Sequence, residues 1–227
     1  MKRSQLLDEL TCRILLIEQP HPVRVAIDGP DAAGKTTLAD ELRALLQARG
    51  QSVIRASIDS FHNPRRIRYR RGATSPEGYY YDSFNYGVLI ESLLSPLGPS
   101  GSRQYRSAVF DYRADSEVHA PIQLAEINAV LLLDGVFLLR GELIEYWDFT
   151  IFVEASFETT LARAERRNQA SFGSLAKARY EQRYMPGQKL YFETCRPKEL
   201  ARVIVNNNDL QNPELLLSRG VYSETAN

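Results

Sequence analysis

Short runs of apolar residues alternate along the chain with stretches in which apolar residues recur every three or four positions. The runs predict parallel-type strands at 23–28, 52–58, 129–133, 149–153 and 202–205. The longer stretches predict helices over 3–18, 36–49, 86–95, 156–168 and 174–193, the last broken near Pro186 and Gly187. Strands that alternate with helices are typical of a parallel sheet covered by crossover helices. We therefore expect an α/β fold, in a single domain over residues 1–227.

Residues 59–85 break this alternation. They show no clean periodicity and are dense in Pro, Gly, Arg and Tyr. A loop longer than about 15 residues inside a compact domain is usually functional or disordered, and the aromatic content favours function. A turn-rich linker is expected over 94–102, followed by a small hairpin insertion over 103–119.

Composition excludes several classes of protein. With 44% hydrophobic residues in 227, the chain is not wholly disordered. The 28 Lys and Arg residues balance 28 Asp and Glu residues, which argues against a nucleic-acid partner. No stretch approaches the roughly 18 uninterrupted apolar residues of a membrane span, so no membrane association is expected. With only two cysteines, we expect a cytoplasmic protein, and a homo-oligomer is compatible with the sequence.

The clearest motif is a phosphate-binding loop. Residues 29–36 read GPDAAGKT and fit G-x-x-x-x-G-K-[ST], with a predicted strand before and an amphipathic helix after. Its glycines let backbone N–H groups wrap an anion, and the helix adds its positive N-terminal end. Lys35 can reach the β- and γ-phosphates, and the Thr36 hydroxyl can bind Mg²⁺. The residues expected to bind a nucleoside triphosphate are Gly29, Pro30, Asp31, Ala32, Ala33, Gly34, Lys35, Thr36 and Thr37.

Two carboxylates follow predicted strands. Ligands in open α/β sheets lie beyond the carboxyl ends of the strands. Asp59, after the second strand, is placed either to accept a proton from an attacking hydroxyl or to cap the next turn. Asp134 closes the buried run at 129–133 and is predicted, with Thr36, to hold Mg²⁺ directly or through water.

Four segments carry a resemblance to a known family. GPDAAGKTT, SIDSFH, LLLDGVFLL and RYMPGQKLYFETCRPKELARVIVNNND occur in that order. Over residues 23–212 the chain resembles the uridine kinase and phosphoribulokinase family of P-loop kinases. The resemblance implies a three-layer sandwich with a mostly parallel five-stranded sheet. It also implies an acceptor-site loop and hairpin over about 59–120 and a helical lid over about 161–185.

The resemblance further implies an activity, namely ATP-dependent transfer of phosphate to a hydroxyl of a small molecule. Asp59 would be the catalytic base, and Lys35 would hold the phosphates. Arg163 and Arg167 match the lid arginines that neutralise the transferred phosphoryl group, although either could equally lie on a solvated helix face.

The acceptor side departs from the family pattern. In this family, nucleoside kinases have a segment similar to F-D-H-P-D-A-F. Residues 78–84 of this chain read GYYYDSF, so that Tyr79 stands where a ribose-binding aspartate belongs. Asp115 stands where a base-contacting histidine belongs, and His62 replaces a tyrosine. The candidate substrate-binding residues are His62, Tyr79, Asp82, Tyr112 and Gln188.

A dense basic run lies between Asp59 and the tyrosines. Three interpretations remain open: a solvated loop, a site for an anionic small acceptor, or a surface on which single-stranded nucleic acid stacks. By resemblance the acceptor is uridine or cytidine. The alternatives are another hydroxylated metabolite, such as pantothenate or a sugar phosphate, and a nucleotide-binding switch that transfers no phosphate. The run consists of Arg65, Arg66, Arg68, Arg70 and Arg71.

Overall fold

The computed structural model describes residues 1–167 and 174–217. Its helices are α1 (Arg3–Leu15), α2 (Lys35–Ala48), α3 (Arg65–Arg68), α4 (Pro76–Asp82), α5 (Tyr86–Leu89), α6 (Phe157–Arg167), α7 (Ser174–Arg179), α8 (Met185–Cys195) and α9 (Pro197–Leu200). Its strands are β1 (Val23–Asp28), β2 (Val53–Ser57), β3 (Gln104–Tyr105), β4 (Phe110–Asp111), β5 (Ser116–Glu117), β6 (Gln123–Leu124), β7 (Val130–Asp134), β8 (Phe149–Glu154), β9 (Val203–Asn206) and β10 (Glu214–Leu217).

The central sheet has the strand order β10-β9-β8-β1-β7-β2. Five strands run parallel, and β10 pairs with β9 in the antiparallel direction. The expected three-layer α/β fold with a mostly parallel sheet is confirmed. Each predicted strand lies within two residues of its observed bounds. The sixth strand, β10, was not predicted, because a four-residue edge strand leaves little periodic signal.

Both faces of the sheet are covered, which explains why its strands are apolar without alternation. Val25 and Ile27 of β1 pack in one core with buried leucines of α1 and α2. Ala26 of the same strand faces the opposite core, which contains Phe137 and Tyr191. Because successive side chains of a strand point to opposite faces, one continuous apolar run serves two cores.

The predicted loop over 59–85 is instead a series of short helical turns. A 3₁₀ turn at Ile58–Phe61 is followed by α3 and α4. The hydroxyl of Ser75 accepts a hydrogen bond from the backbone N–H of Gly78 at 2.9 Å, which caps α4. Helices of four to seven residues complete too few turns to show a 3.6-residue period, so the sequence pattern missed them.

Three other expectations change in detail. Helix α1 ends at Leu15 rather than at 18. The predicted hairpin is present as two small antiparallel ladders, β4 with β5 and β3 with β6. The helix at 174–193 is not broken at Pro186: the backbone stays helical from α7 to α8, through a π-helical turn at Tyr180–Tyr184. Pro186, whose missing N–H would interrupt a regular α-helix, lies two residues after the end of this π-helical turn.

Within 1–167 and 174–217, we find no helix that is both long and apolar enough to cross a membrane.

Candidate active site

The phosphate loop connects β1 to α2 and is pressed against neighbouring backbone. Gly29 and Gly34 have φ values of +147° and +100°. A Cβ on Gly29 would lie 2.2 Å from the carbonyl oxygen of Val153, and one on Gly34 would lie 2.6 Å from Nδ2 of Asn207. Both positions therefore require glycine. Lys35 is buried, and its Nζ donates to the carbonyl oxygen of Pro30 at 2.7 Å across the loop.

A loop hydroxyl and a strand-end carboxylate meet beside this loop. The Oγ1 of Thr36 donates to Oδ2 of Asp134 at 2.6 Å. Arg55 forms an ion pair with Oδ1 of Asp134 at 2.8 Å. Nε of Arg55 donates to Oδ1 of Asp40, and its Nη1 donates to backbone carbonyls. Oδ1 of Asp134 is buried and accepts no hydrogen bond from the described residues. A buried carboxylate oxygen without a donor, next to a hydroxyl, suits Mg²⁺ and its bound waters.

Asp59 lies in the 3₁₀ turn that follows β2, with an exposed side chain. Ser57, two residues earlier, is opposite Asp134 in the parallel pairing of β2 with β7. The two acidic residues that the sequence singles out therefore lie at the same edge of the sheet, together with the phosphate loop.

An aromatic wall stands next to Asp59. The ring of His62 lies 4.5 Å from that of Phe84 and 5.0 Å from that of Tyr112, between centroids. Nδ1 of His62 lies 2.9 Å from the carbonyl oxygen of Asp59, and since a carbonyl only accepts, Nδ1 carries the proton. Burial lowers the pKa of His62 to about 4, so the ring is neutral at physiological pH. The candidates His62 and Tyr112 are thus brought together.

Tyr79 and Gln188, two other candidates, contact the phosphate loop itself. The hydroxyl of Tyr79 donates to Oδ2 of Asp31 at 2.9 Å, and Nε2 of Gln188 donates to the same oxygen at 3.1 Å. The backbone N–H of Asp31 donates to Oε1 of Gln188 at 2.8 Å. The sequence assigned these residues to separate nucleotide and acceptor sets, and the structure joins them in one network.

The remaining substrate candidate, Asp82, is bound by the chain's own arginines. It is buried and forms ion pairs with Arg70 at 2.5 Å and Arg71 at 2.8 Å. The hydrogen bond from Arg70 is the largest of the effects that lower the pKa of Asp82. Arg68 pairs in the same way with Asp115 at 2.8 Å. These carboxylates fix the basic run in place, and neither offers its charge to an acceptor in this conformation.

The candidate lid residue Arg163 contacts backbone carbonyls. It donates to the carbonyl oxygens of Asn207 at 2.7 Å and Asn208 at 3.0 Å, and to that of Ala33 in the phosphate loop at 3.4 Å. The other lid candidate, Arg167, ends α6, but its side chain lies outside the described residues, as do residues 168–173 of the expected lid.

Two further residues support the loop and were not singled out by the sequence. Asp28, the last residue of β1, is buried; Oδ1 accepts from Gly29 N at 2.7 Å and Oδ2 accepts from the Tyr191 hydroxyl at 2.5 Å. Nδ2 of Asn207 donates to the carbonyl oxygen of Ala33 at 2.7 Å. The available signals were an acid directly before the first loop glycine and an Asn run after the last predicted strand.

Comparisons with a family model and with a curated relative agree on one family. Residues 24–205 match the model described as the Phosphoribulokinase / Uridine kinase family. A curated relative, uridine-cytidine kinase B of Dictyostelium discoideum, is 26% identical over 153 residues, which are 67% of this chain. The chain spans only 61% of that relative's length.

Solved structures show the same fold. A structure described as that of a possible uridine kinase from Bacillus stearothermophilus has a TM-score of 0.71 and 25% identity. The match covers 88% of this chain and 97% of the other. A D-glycerate 3-kinase from Cryptococcus neoformans, with a TM-score of 0.52, 12% identity and coverage of 82% and 86%, shares the fold.

Replacing Gly135 by alanine should disturb the turn that carries Asp59. The new Cβ would lie 2.2 Å from Cγ2 and 2.6 Å from Cβ of the buried Ile58, which precedes Asp59. We expect Gly135→Ala to lower the free energy of unfolding by about 1–3 kcal/mol, measured by urea titration. Gly141→Ala, with nothing within 4 Å of the new Cβ, is the control. Equal stability of the two variants would contradict the prediction.

Asp28 should give the folded protein an unusual pH dependence. Burial raises its pKa from 3.8 to about 6, against the opposing hydrogen bond from Tyr191. A raised pKa in the folded state means that the group stabilises the fold below about pH 4, and that this contribution is lost as the pH rises through about 6.

The variant Asp28→Asn cannot titrate at this position. Between pH 4 and pH 7 the free energy of unfolding of the wild type should fall by on the order of 3 kcal/mol relative to the variant. Urea titrations of both proteins at several pH values measure this difference. Parallel pH profiles for the two proteins would rule out the assigned role of Asp28.

Proposed function

The chain belongs to the phosphoribulokinase and uridine kinase family, and we propose that it transfers the γ-phosphate of ATP to a hydroxyl of a small molecule. The preferred acceptor is a nucleoside of the uridine or cytidine type. The observation that carries the proposal is the meeting of three groups at one sheet edge. These are the closed phosphate loop, the Thr36–Asp134 pair and the exposed carboxylate of Asp59.

Nucleotide and metal would occupy the loop and the Thr36–Asp134 pair. The Thr36 hydroxyl and Asp134 would hold Mg²⁺ directly or through water. Bound there with ATP, the ion would neutralise charge on the phosphates. Lys35 would exchange its bond to the carbonyl of Pro30 for one to a phosphate oxygen. Residues 29–37 would supply the surrounding backbone N–H groups.

In the transfer step, an acceptor hydroxyl oxygen forms a bond to the γ-phosphorus. The bond between that phosphorus and the bridging oxygen to the β-phosphate breaks, and ADP leaves with the electron pair. The proton of the hydroxyl passes to the carboxylate of Asp59, as general base. Arg163 and Arg167 would stabilise the charge on the transferred group, for which Arg163 must leave the carbonyls of Asn207 and Asn208.

The aromatic wall supports a nucleoside as acceptor. Neutral His62 and the Tyr112 ring offer flat surfaces next to Asp59, and base stacking on aromatic side chains is favourable for any base. Tyr79 and Gln188 would border the sugar.

A second candidate acceptor is another hydroxylated metabolite, such as pantothenate or a sugar phosphate. The observation that favours it is the identity of residue 115. Asp115 stands where a base-contacting histidine belongs in the nucleoside kinase pattern. Oδ1 of Asp115 accepts from the Arg68 guanidinium and from the backbone N–H of Arg65, both at 2.8 Å. The hairpin therefore offers no imidazole to a base at this position.

Replacing Asp59 by asparagine tests the general base. We expect Asp59→Asn to lower kcat on the order of 10²-fold or more, because the amide cannot take the proton, with the Kd for ATP nearly unchanged. The measurement is ATP consumption with Mg²⁺ and the best acceptor from a panel of nucleosides, pantothenate, sugar phosphates and short oligonucleotides.

Asp8→Asn is the matched control, since Asp8 is exposed on α1 and pairs only with the surface residue Arg49 among the described residues. An Asp59→Asn enzyme with the kcat of the wild type would remove Asp59 from the mechanism. Consumption of ATP that no panel member stimulates would argue against the kinase activity.

A further inference from the structure

Arg55 is a charged residue in the middle of a strand of the central sheet. It is the third of the five residues of β2, and the flanking Ile54 and Ala56 are buried. Its own side chain is only 15% exposed. A cation at such a position needs compensating partners, because the burial of an unpaired charge is costly.

Two carboxylates lie against the guanidinium of Arg55. Nε donates to Oδ1 of Asp40, an exposed residue of α2, at 3.0 Å. Nη1 lies 2.8 Å from Oδ1 of Asp134, which is 2% exposed. The pairing of β2 with β7 explains this contact. Asp134 is opposite Ser57, two residues after Arg55, so both side chains lie on the same face of the sheet.

The two contacts of Arg55 differ in kind. The contact with Asp40 is a hydrogen bond, whereas Nη1 donates to the carbonyl oxygens of Ala56 and Leu132 and not to Asp134. Oδ1 of Asp134 accepts no hydrogen bond from the described residues. The attraction between Arg55 and Asp134 is therefore a contact between charges, and the carboxylate can bind another cation without breaking a hydrogen bond of the guanidinium.

The same guanidinium has opposite effects with and without a metal ion. Among the described residues, Arg55 supplies the ion pair of the buried Asp134, so that in the metal-free protein it compensates the carboxylate. Once a divalent cation binds to that carboxylate, Arg55 is a like charge next to the cation. A like charge a few ångströms away weakens the binding of a cation by about tenfold or more, at the effective dielectric constant of a protein surface.

We propose that Arg55 is a positioning residue that acts through Asp134, as an internal counter-ion that weakens the affinity of the site for a free divalent cation. Mg²⁺ would then bind together with the phosphates of a nucleotide, whose negative charge outweighs the guanidinium. The inference rests on the metal site of the proposed function, and it does not depend on the identity of the acceptor.

The experiment measures the Kd of ADP by calorimetry, once with excess Mg²⁺ and once with EDTA. The ratio of the metal-free to the metal-containing Kd reports how strongly the site favours the metal complex. Because ADP itself chelates Mg²⁺ equally in all samples, differences in this ratio come from the protein. Arg55→Met should raise the ratio by about tenfold, since a like charge is removed. Arg55→Lys keeps the charge and should stay within about threefold of the wild type.

Asp40→Asn is the matched control. It removes the other carboxylate that Arg55 contacts and leaves the guanidinium beside Asp134. The ratio for this variant should be unchanged or lower, because one negative charge near the site is lost. A general disturbance of the contact between β2 and α2 would instead shift Arg55→Met and Asp40→Asn in the same direction.

Urea titrations give a second measurement that does not require activity. In EDTA, Arg55→Met should unfold at a lower urea concentration than the wild type, because the buried Asp134 has lost its counter-charge. Mg²⁺ with ADP should raise the midpoint of Arg55→Met more than that of the wild type. The double variant Arg55→Met with Asp134→Asn should recover most of the stability lost in EDTA.

If Arg55→Met does not fold in EDTA, the double variant decides. A folded double variant supports the proposal, because the uncompensated carboxylate is then the cause of unfolding. An unfolded double variant shows that Arg55 holds the fold independently of Asp134, and it overturns the proposal.

The remaining outcomes separate this inference from the proposed function. An unchanged ratio in folded Arg55→Met, or the same rise in Asp40→Asn, overturns the role of Arg55 and leaves the kinase activity standing. A wild type whose affinity for ADP does not respond to Mg²⁺ overturns the metal site, and this inference with it. Transfer to no acceptor, with the effect of Arg55→Met intact, overturns the proposed transfer alone.

Discussion

The close approach of the phosphate loop to its neighbours is the constraint on which the site depends. The loop backbone at Gly29 touches β8, and that at Gly34 touches Asn207, at distances that leave no space for a Cβ. Three side chains also form hydrogen bonds with the loop backbone. Asp28 accepts from the N–H of Gly29, Gln188 accepts from the N–H of Asp31, and Asn207 donates to the carbonyl oxygen of Ala33. A loop held in this way has little left to order when an anion binds.

The same bracing links the two halves of the site. Asp31 belongs to the loop, yet the groups that hold its carboxylate come from α4 and α8, which are distant from the loop in sequence. A shift of α8 would therefore displace the loop backbone, through the hydrogen bond from Asp31 N to Gln188. The phosphate loop and these two helices therefore form one polar network.

Four aspartates in and around the site differ in their surroundings. Asp28 is buried, which raises its pKa, and it supports the loop by accepting a hydrogen bond from the N–H of Gly29. Asp134 is buried, and its Oδ1, which forms an ion pair with Arg55, accepts no hydrogen bond from the described residues. Asp82 is neutralised by two arginines and is structural. Asp59, in the turn after β2, is exposed. One residue type thus serves four purposes because desolvation and partners differ.

The sequence by itself determined the α/β class, the strand positions, the phosphate loop and the two strand-end acids, since apolar runs and glycine spacing are local properties. The spacing of apolar residues could not predict the helical turns at 59–85, because they are too short to show a helical period. Nor could it give the pairing of Asp31 with Tyr79, 48 positions away, or with Gln188, 157 positions away. Only the tertiary structure decided which arginines pair with carboxylates and which strand-end carboxylate stays exposed, because those depend on which distant side chains burial brings together.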